Sequence, residues 1–471
     1  MRKALLVVIL AGASAFAGTV SGSLSFSNTP LLRPEGESEP AVAVANDGTV
    51  AVTGLQWLFN PSFFGTHFWT GPFGATPTFQ GLLDSGLRQP GKIVFGSGDA
   101  DFDIGSTNTL HATTLMFFIN PTFRTAQLGV SAVICPNVTS ASFAIQNCTR
   151  HFVDRTESDR DWITSDGPHV YLSYHDSGNS ALIHVQRSDN DGFTWHRVGD
   201  PIVGQDGITA GATFNNIQGP LVADPVTHDV YDIFASGQTG FLKGRTFTPN
   251  HVFVSRSTDA GKRWTASLVF QLPTPAKFDN VFPALAVDST NGNLYAAFSE
   301  GHHVFFSMSS DHGVHWSPAV VVNVAPATTA IFPWIAARAG TVDVVYYATT
   351  ASSKNDASAV WNVYLAQTAD NGASFAQSVV SNTSNHTGVI CTNGTGCAPG
   401  TRNLLDLFKV AINPVDGRAA VIYTDDTLTK DKAGDPLPQI VRQHSSSVLK
   451  WERDHWRGLR PAPHFQNQSL R

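Results

Sequence analysis

Charged residues are what this sequence has least of. Lys, Arg, Asp and Glu make up 14% of its 471 residues, against about 25% in a typical soluble domain. The net charge of -7 is spread along the chain, without the basic stripes or runs that hold nucleic acid or anionic membranes. Low charge together with 40 Gly, 26 Pro and 31 Phe is typical of short strands joined by turns.

Cysteine is also scarce, and its four residues fall into two close pairs, Cys135 with Cys148 and Cys391 with Cys397. Neither pair has the C-x-x-C spacing or the nearby histidine pair of a zinc site. Two local disulfides, each closing an irregular loop, are favoured over one long-range pairing and over a metal site. We therefore predict disulfides of an oxidising compartment, no metal site and no cofactor.

The N-terminus, MRKALLVVILAGASAFAG, has a positively charged start, an apolar run over residues 4–11 and an A-x-A site at 15–17. This is the pattern of a secretory signal peptide that is cut after Ala17. An anchoring helix is the alternative, but the run is shorter than the ~20 residues that span a bilayer. We expect residues 1–17 to be removed and the protein to be secreted, periplasmic or at the cell surface, without stable membrane insertion.

A strand–turn–strand pattern recurs through the rest of the chain. Its clearest copy, FPALAVDSTNGNLYAAFSE, is an apolar strand, an Asn-Gly turn and a second strand rich in aromatic residues and Ala. Seven copies occupy residues 39–55, 101–115, 161–176, 219–236, 282–300, 332–349 and 408–426.

Each clear copy continues with a third strand, a turn and a fourth strand, as over residues 303–324. Four antiparallel strands per repeat are typical of β-propeller blades. We predict an all-β fold with a single propeller over residues 18–450, of seven blades, or of six if 101–115 is an insertion. Residues 22–28 are predicted to complete the last blade and so close the ring. Residues 451–471 are then a loosely packed C-terminal extension.

The turn between the third and fourth strands follows one pattern, S/T-x-D-x-G-x-x-W/F, and each such turn is called a box below. SSDHGVHW (309–316), STDAGKRW (257–264) and TADNGASF (368–375) match it fully. SDNDGFTW (188–195) has Asn in place of Asp, and TGPFGATP (70–77) is a decayed candidate that keeps the Thr and the Gly.

The roles predicted for the box residues are structural. The Asp can accept hydrogen bonds from its own turn, the Gly supplies a positive φ, and the aromatic residue can pack between blades. An Asp that recurs once per blade cannot converge on one substrate, which argues against catalysis by the boxes. These residues are Ser188, Gly192, Trp195, Ser257, Asp259, Gly261, Trp264, Ser309, Asp311, Gly313, Trp316, Thr368, Asp370, Gly372 and Phe375.

The box repeat resembles the Asp-box (bacterial neuraminidase) repeat of sialidases and related propellers, over about residues 39–445. For a sialidase, the resemblance implies a Tyr nucleophile, a Glu that activates it, an Asp acid/base and three Arg that hold the substrate carboxylate. The first of these Arg lies in an R-I-P motif, but Ser38-Glu39-Pro40 stands at the matching place and Arg33 is five residues upstream. Asp boxes also occur in other glycosidases, sorting receptors and assembly factors, so the resemblance implies the fold more than the activity.

Candidate functional residues lie where the first strand of each blade begins, because propellers bind ligands at the mouth of the central channel. The segment SDRDW (158–162) is the richest of these entrances. The carboxylates at these entrances, together with Arg160, can position a polar ligand or a cation, or one carboxylate can act as a general acid. Alternatively, Arg160 pairs with Asp159 or Asp161 and the other residues lie in solvated turns. The candidates are Glu39, Asp103, Asp159, Arg160, Asp161 and Asp406.

The sequence therefore favours an exported, monomeric propeller that binds a carbohydrate or an extracellular protein at its channel mouth, without a recognisable complete sialidase site. The alternative is an enzyme, either an exo-α-sialidase or another glycoside hydrolase with a divergent site. A purely structural surface protein is the third interpretation. No nucleic-acid partner is predicted.

Overall fold

A computed structural model describes most of the chain. The predicted signal peptide lies outside the described residues except for Ala15–Phe16, and the predicted extension 451–471 lies wholly outside them. The described residues are 15–16, 18–21, 24–33, 36–56, 65–96, 98–156, 158–176, 182–202, 216–237, 249–273, 275–428 and 436–444.

Seven antiparallel sheets follow one another as the blades of a propeller, which confirms the all-β fold and the count of seven. Strands β1 (Ala15–Phe16), β2 (Gly18–Ser21) and β3 (Phe26–Pro30) precede the first blade. Blade 1 contains β4 (Glu37–Val44), β5 (Thr49–Gln56), β6 (Thr66–Pro72) and β7 (Thr78–Leu82). Blade 2 contains β8 (Ile93–Phe95), β9 (Ala100–Ile104), β10 (Leu110–Asn120), β11 (Thr125–Cys135) and β12 (Thr149–Asp154).

The middle blades keep the same order of four strands. Blade 3 contains β13 (Ser158–Asp166), β14 (His169–Asp176), β15 (Ile183–Ser188) and β16 (His196–Arg197). Blade 4 contains β17 (Asn216–Ala223), β18 (Val230–Ser236), β19 (His251–Ser257) and β20 (Thr265–Gln271). Blade 5 contains β21 (Ala284–Val287), β22 (Leu294–Ser299), β23 (Val304–Ser309) and β24 (Val320–Val321).

The last two blades include short additions. Blade 6 contains β25 (Thr329–Arg338), β26 (Thr341–Thr349), β27 (Val360–Thr368) and β28 (Ser374–Val379), with β29 (His386–Thr387) beside β27. Blade 7 contains β30 (Lys409–Ile412), β31 (Ala419–Asp425) and β32 (Leu437–Gln443). Two 3-10 turns, Ile145–Asn147 and Gly394–Gly396, complete the described secondary structure.

The N-terminal strand closes the ring, as predicted. β3 pairs antiparallel with β32, from Phe26 opposite Gln443 to Pro30 opposite Gln439, and supplies the fourth strand of blade 7. Residues 22 and 23 of the predicted closing strand lie outside the described residues. Before this strand, β1 and β2 add parallel edge strands to blades 5 and 6.

The inner strands bulge at a shared position. In blades 1, 3, 4 and 6 the pairing of strand one with strand two shifts there, and Pro40, Pro220 and Pro333 occupy the bulge in three of them. Proline has no N–H to donate to the ladder, so it suits such an interruption. In blade 2 the inner strand is broken instead, and β8 and β9 pair with β10 on either side of residues 96–99. Bulges turn side chains away from the sheet face.

Each box forms the same hydrogen-bonded turn. In 309–316, the Ser309 hydroxyl accepts the Gly313 N–H (2.9 Å) and donates to the Asp311 carboxylate (2.8 Å), which also accepts the His315 N–H (2.9 Å). The other boxes repeat this pattern, and the amide oxygen of Asn190 replaces the carboxylate in blade 3. The four box glycines have φ between 80° and 88°.

In three boxes the final aromatic residue contacts the preceding blade, whereas the Trp264 indole donates to Gly261 of its own box. The Trp316 indole N–H donates to Ser267 of blade 4, and the Phe375 ring lies 5.2 Å from that of Phe306 in blade 5. The decayed candidate 70–77 spans the turn between β6 and β7, where the Thr70 hydroxyl accepts a hydrogen bond from Gln80.

Both predicted disulfides are present, Cys135–Cys148 and Cys391–Cys397. Cys135 is the last residue of β11 and Cys148 immediately precedes β12, so the first disulfide joins strands three and four of blade 2. A box occupies this place in blades 3 to 6. The second disulfide lies in the connection between blades 6 and 7. None of the helical turns in the described residues is long and apolar enough to cross a bilayer.

Candidate functional site

The start of each inner strand faces one end of the central channel. Since strands alternate in direction within a blade, the connections between strands two and three and between successive blades lie on this same face, and the boxes lie on the opposite face. The inner strands converge closely: the rings of Trp162 in blade 3 and Trp334 in blade 6 are 5.4 Å apart.

Three charged residues occupy one repeat position in blades 1, 2 and 3. Glu39 and Arg160 are the bulged residues of β4 and β13, with φ of 45° and 58°, and Asp99 lies in the break between β8 and β9. In blades 5 and 6 the same position carries Phe282 and Phe332. The repeat therefore brings a polar half and an aromatic half together at the channel mouth.

The connection between blades 6 and 7 adds an ion pair. The Arg402 guanidinium contacts both oxygens of Asp406, with Nε to Oδ1 at 3.2 Å and a shorter contact from Nη2 to Oδ2. The backbone N–H of Asp406 donates to Glu39 Oε1 at 2.8 Å and so joins this connection to blade 1. Together with Asp159, these residues form the entrance cluster: Glu39, Asp99, Asp159, Arg160, Arg402 and Asp406.

The carboxyl groups of the entrance cluster interact with one another. Burial raises the pKa of Glu39 well above its ordinary value, and the negative charges of Asp99 and Asp406 raise it further. Burial, followed by the charge of Asp159, raises the pKa of Asp99 to about 7. Burial also raises the pKa of Asp159, against the lowering effect of Arg160. Burial and mutual repulsion therefore favour the protonated forms of these carboxyl groups.

Arg160 is held by two neighbours. Its Nε lies 3.8 Å from Asp159 Oδ2, and its guanidinium lies 4.7 Å from the centre of the Phe282 ring. A cation over an aromatic face is attracted by the ring quadrupole. Arg160 is thus fixed at the mouth between a carboxylate and the aromatic half.

Beneath the entrance cluster lies the channel floor, formed by Asp101, Trp162, Trp334 and Lys409. The Lys409 ammonium forms an ion pair with Asp101 and lies 5.2 Å and 4.5 Å from the ring centres of Trp162 and Trp334. Asp101 also accepts the backbone N–H of Ile163 at 3.1 Å. These contacts join blades 2, 3, 6 and 7 and fill the channel below the mouth.

The structure places the predicted residues in different surroundings. Glu39, Asp159, Arg160 and Asp406 belong to the entrance cluster. Asp161 is buried, accepts a hydrogen bond from Thr113 of blade 2, and has its pKa raised well above the ordinary value by burial and by Asp99. Asp103 lies farther along β9 and accepts the backbone and side-chain hydrogens of Ser165 at 2.8 and 2.7 Å, between blades 2 and 3.

Two members of the entrance cluster were missed by the sequence reasoning. Asp99 could have been found, because it precedes Asp101 by two residues and aligns with Glu39 and Arg160 in the repeat. Arg402 lies in a connection without a counterpart in other blades, and no spacing signal marks it.

Three tyrosines that end second strands pack in the interior. Tyr346 and Tyr423 donate hydrogen bonds to Gln377 (2.6 Å) and Asn28 (2.8 Å), and the Tyr347 oxygen accepts the Thr424 N–H (3.1 Å). All three are fully buried. Among the described residues, no group of three or more His, Cys, Asp or Glu side chains is arranged to hold a metal ion.

A concave surface lies on the box face. It is a cleft of about 970 Å³ between the boxes of blades 4 and 5, and Arg263, Trp264 and His312 are among its lining residues. Arg263 pairs with Asp259 at 2.7 Å. This cleft is separate from the entrance cluster and offers a comparison site for binding experiments.

Comparison with known proteins gives structural similarities only. No family model matches the chain, and no curated protein matches it. An α-L-arabinofuranosidase from Fusarium graminearum is 13% identical with a TM-score of 0.45, over 69% of this chain and 92% of that one. A sialidase from Trypanosoma rangeli is 10% identical with a TM-score of 0.47, over 92% and 60%. The endosialidase of phage phi92 is 9% identical with a TM-score of 0.48, over 95% and 72%. At these values the similarities carry no conclusion about activity.

Proposed function

We propose that the entrance cluster is the binding site of a carbohydrate, and that the protein acts as an exported monomer. The observation that carries this proposal is the convergence of charged side chains from blades 1, 2 and 3 and from the connection between blades 6 and 7. Three of them remain accessible, with 36% of the Asp159 side chain, 21% of Arg160 and 23% of Arg402 exposed, whereas Glu39 and Asp406 are buried. Carboxyl groups with raised pKa values that gather at one place are typical of functional sites.

Two further observations support a carbohydrate ligand outside the cytoplasm. The boxes resemble a repeat of glycan-active propellers, and the leader pattern and the two disulfides suit export. Carboxyl and guanidinium groups can accept and donate the hydrogen bonds that the hydroxyls of a sugar form.

A glycan array and calorimetry with Arg160→Ala and Arg263→Ala test the site. We expect the full chain to bind at least one glycan, and Arg160→Ala to weaken that binding by about tenfold or more, which is about 1.4 kcal/mol. Arg263→Ala, in the cleft on the opposite face, should bind like the wild type. Loss of binding in Arg263→Ala alone would move the site to that cleft. If the chain binds an extracellular protein and no glycan, the ligand is a protein.

Glycoside hydrolysis is the second candidate function, and the raised pKa values of Glu39 and Asp99 favour it. Glycosidases need one protonated carboxyl group as general acid and a second group that stays ionised. Burial of one group raises its pKa above that of the other and so assigns these two roles. Fluorogenic sialosides and neutral glycosides test this function. If it is correct, Asp99→Asn should lower turnover by about 10² or more, while Arg263→Ala should not. Binding without turnover of any glycoside would leave a non-catalytic propeller.

A further inference from the structure

The balance of charge in the entrance cluster restricts the class of sugar that fits there. The cluster contains four carboxyl groups, of Glu39, Asp99, Asp159 and Asp406, against the two guanidinium groups of Arg160 and Arg402. The described residues of the mouth therefore bring no excess of positive charge toward a ligand.

Both guanidinium groups lie beside carboxylates of the chain itself. A clamp presents a planar pair of N–H donors to the two oxygens of the ligand. Arg402 already uses Nε and Nη2 on the two oxygens of Asp406, whose side chain is 10% exposed. Arg160 lies between Asp159 and the face of Phe282, so its charge is shared with an internal carboxylate.

The carboxyl groups suit a ligand that carries hydroxyl groups. An ionised carboxylate only accepts hydrogen bonds, and a protonated carboxyl group both donates and accepts. Hydroxyls can meet either form, whereas a ligand carboxylate would add a negative charge beside the four carboxyl groups of the cluster. A like charge brought into a partly buried site is strongly unfavourable, because the low dielectric screens it poorly.

We propose that the entrance cluster selects an uncharged, polyhydroxylated sugar and discriminates against acidic sugars such as sialosides and uronides. This inference rests on the proposed carbohydrate function and narrows its ligand class. It also predicts the origin of the selectivity, which is the pairing of Arg402 with Asp406.

The test is a glycan array in which each neutral oligosaccharide is paired with its sialylated or uronic-acid counterpart, followed by calorimetry on the best pair. We expect the wild-type full chain to bind the neutral member at least tenfold more tightly. Asp406→Asn removes the charge that occupies Arg402, so it should shift the preference toward the acidic member by about tenfold or more. Asp416→Asn is the matched control, because it removes the partner of Arg418 (3.7 Å) in the turn between β30 and β31 on the opposite face.

The possible outcomes distinguish a failure of this inference from a failure of the proposed carbohydrate function. If the wild type prefers acidic members and Arg402→Gln abolishes that binding, the site is a carbohydrate site and the inference about charge is wrong. If no member of the array binds, both the inference and the carbohydrate function are wrong. The wild-type comparison needs no variant, so it decides the matter even if Asp406→Asn does not fold.

Discussion

At the scale of single residues, carboxyl groups buried outside the entrance cluster, such as Asp232 and Asp343, are expected to make stability depend on pH. Asp343 on β26 is fully buried, and its Oδ1 accepts a hydrogen bond from Gln367 at 2.8 Å. Burial raises its pKa to about 7. Between about pH 4 and pH 7 the folded protein therefore holds a proton that the unfolded chain has released, and the free energy of unfolding falls as the pH rises through this range.

Asp343→Asn should remove this dependence. The wild type is expected to lose up to about 1.4 kcal/mol of unfolding free energy per pH unit through this group between pH 4 and 7. The amide cannot ionise, so the variant should gain stability relative to the wild type as the pH rises, with little further change above pH 7. Urea unfolding at several pH values measures the difference, with the surface variant Asp416→Asn as control. A constant difference across the range would contradict the assignment.

The ion pair of the channel floor gives a second prediction at this scale. The Lys409 and Asp101 side chains are 8% and 6% exposed, so removing one leaves the other charge buried without its partner. Lys409→Met should lower the free energy of unfolding by about 3–5 kcal/mol. The double variant Lys409→Met/Asp101→Asn should recover most of that loss, because no charge then stays unpaired. Additive losses in a double-mutant cycle by urea unfolding would show that the two groups do not interact.

Much of the entrance cluster could be predicted from the sequence, and the physical reason is the order of the strands. Glu39, Asp159 and Arg160 lie near the start of inner strands whose apolar pattern repeats, so their place at the mouth follows from strand order. Asp99 was missed because Asp101 and Asp103, two and four residues later, look equivalent until the repeat is aligned. Arg402 depends on the path of a long connection closed by the Cys391–Cys397 disulfide, and a local pattern does not encode such a path.

At the scale of elements, the boxes work as hydrogen-bonded turns, and this explains why one sequence mismatch is tolerated. Asn190 lacks the charge of Asp but keeps a side-chain oxygen, which accepts both the Ser188 hydroxyl (3.0 Å) and the Thr194 N–H (2.9 Å). The feature that recurs in all four boxes is a side-chain oxygen that accepts these two hydrogen bonds. In blade 2, Cys135–Cys148 joins the same two strands covalently, so the absence of a box there does not leave strand four unattached.

Ser309→Ala tests the role of the box hydroxyl. The change leaves the buried Gly313 N–H without its acceptor, which should lower the free energy of unfolding by about 1–3 kcal/mol. Ser310→Ala alters the exposed neighbouring hydroxyl of the same turn and should have little effect. Urea unfolding of both variants measures the contrast, and equal midpoints would show that the hydroxyl does not hold the turn.

At the scale of the whole molecule, the two ends of the described chain build one blade. β3 supplies the outer strand of blade 7, and Asn28 on this strand fixes blade 7 to blade 6. Its amide donates to the Val380 carbonyl (2.9 Å) and its oxygen accepts the Tyr423 hydroxyl (2.8 Å). Blade 7 therefore cannot be complete until β32, near the C-terminus, has been made and has met β3. Ring closure removes the free sheet edge that would otherwise pair with other chains.

A chain that lacks residues 18–30 should therefore expose the edge of β32 and form oligomers or aggregates that the full chain does not form. The matched control lacks only residues 18–21, which form the extra edge strand β2 on blade 6, and its ring stays closed. Size-exclusion chromatography and thermal unfolding compare the two. A synthetic peptide of residues 24–33 should bind the longer deletion and restore its monomeric state, because it can take the place of β3 beside β32. If the longer deletion unfolds like its control and stays monomeric, the N-terminal strand is not the closure of the propeller.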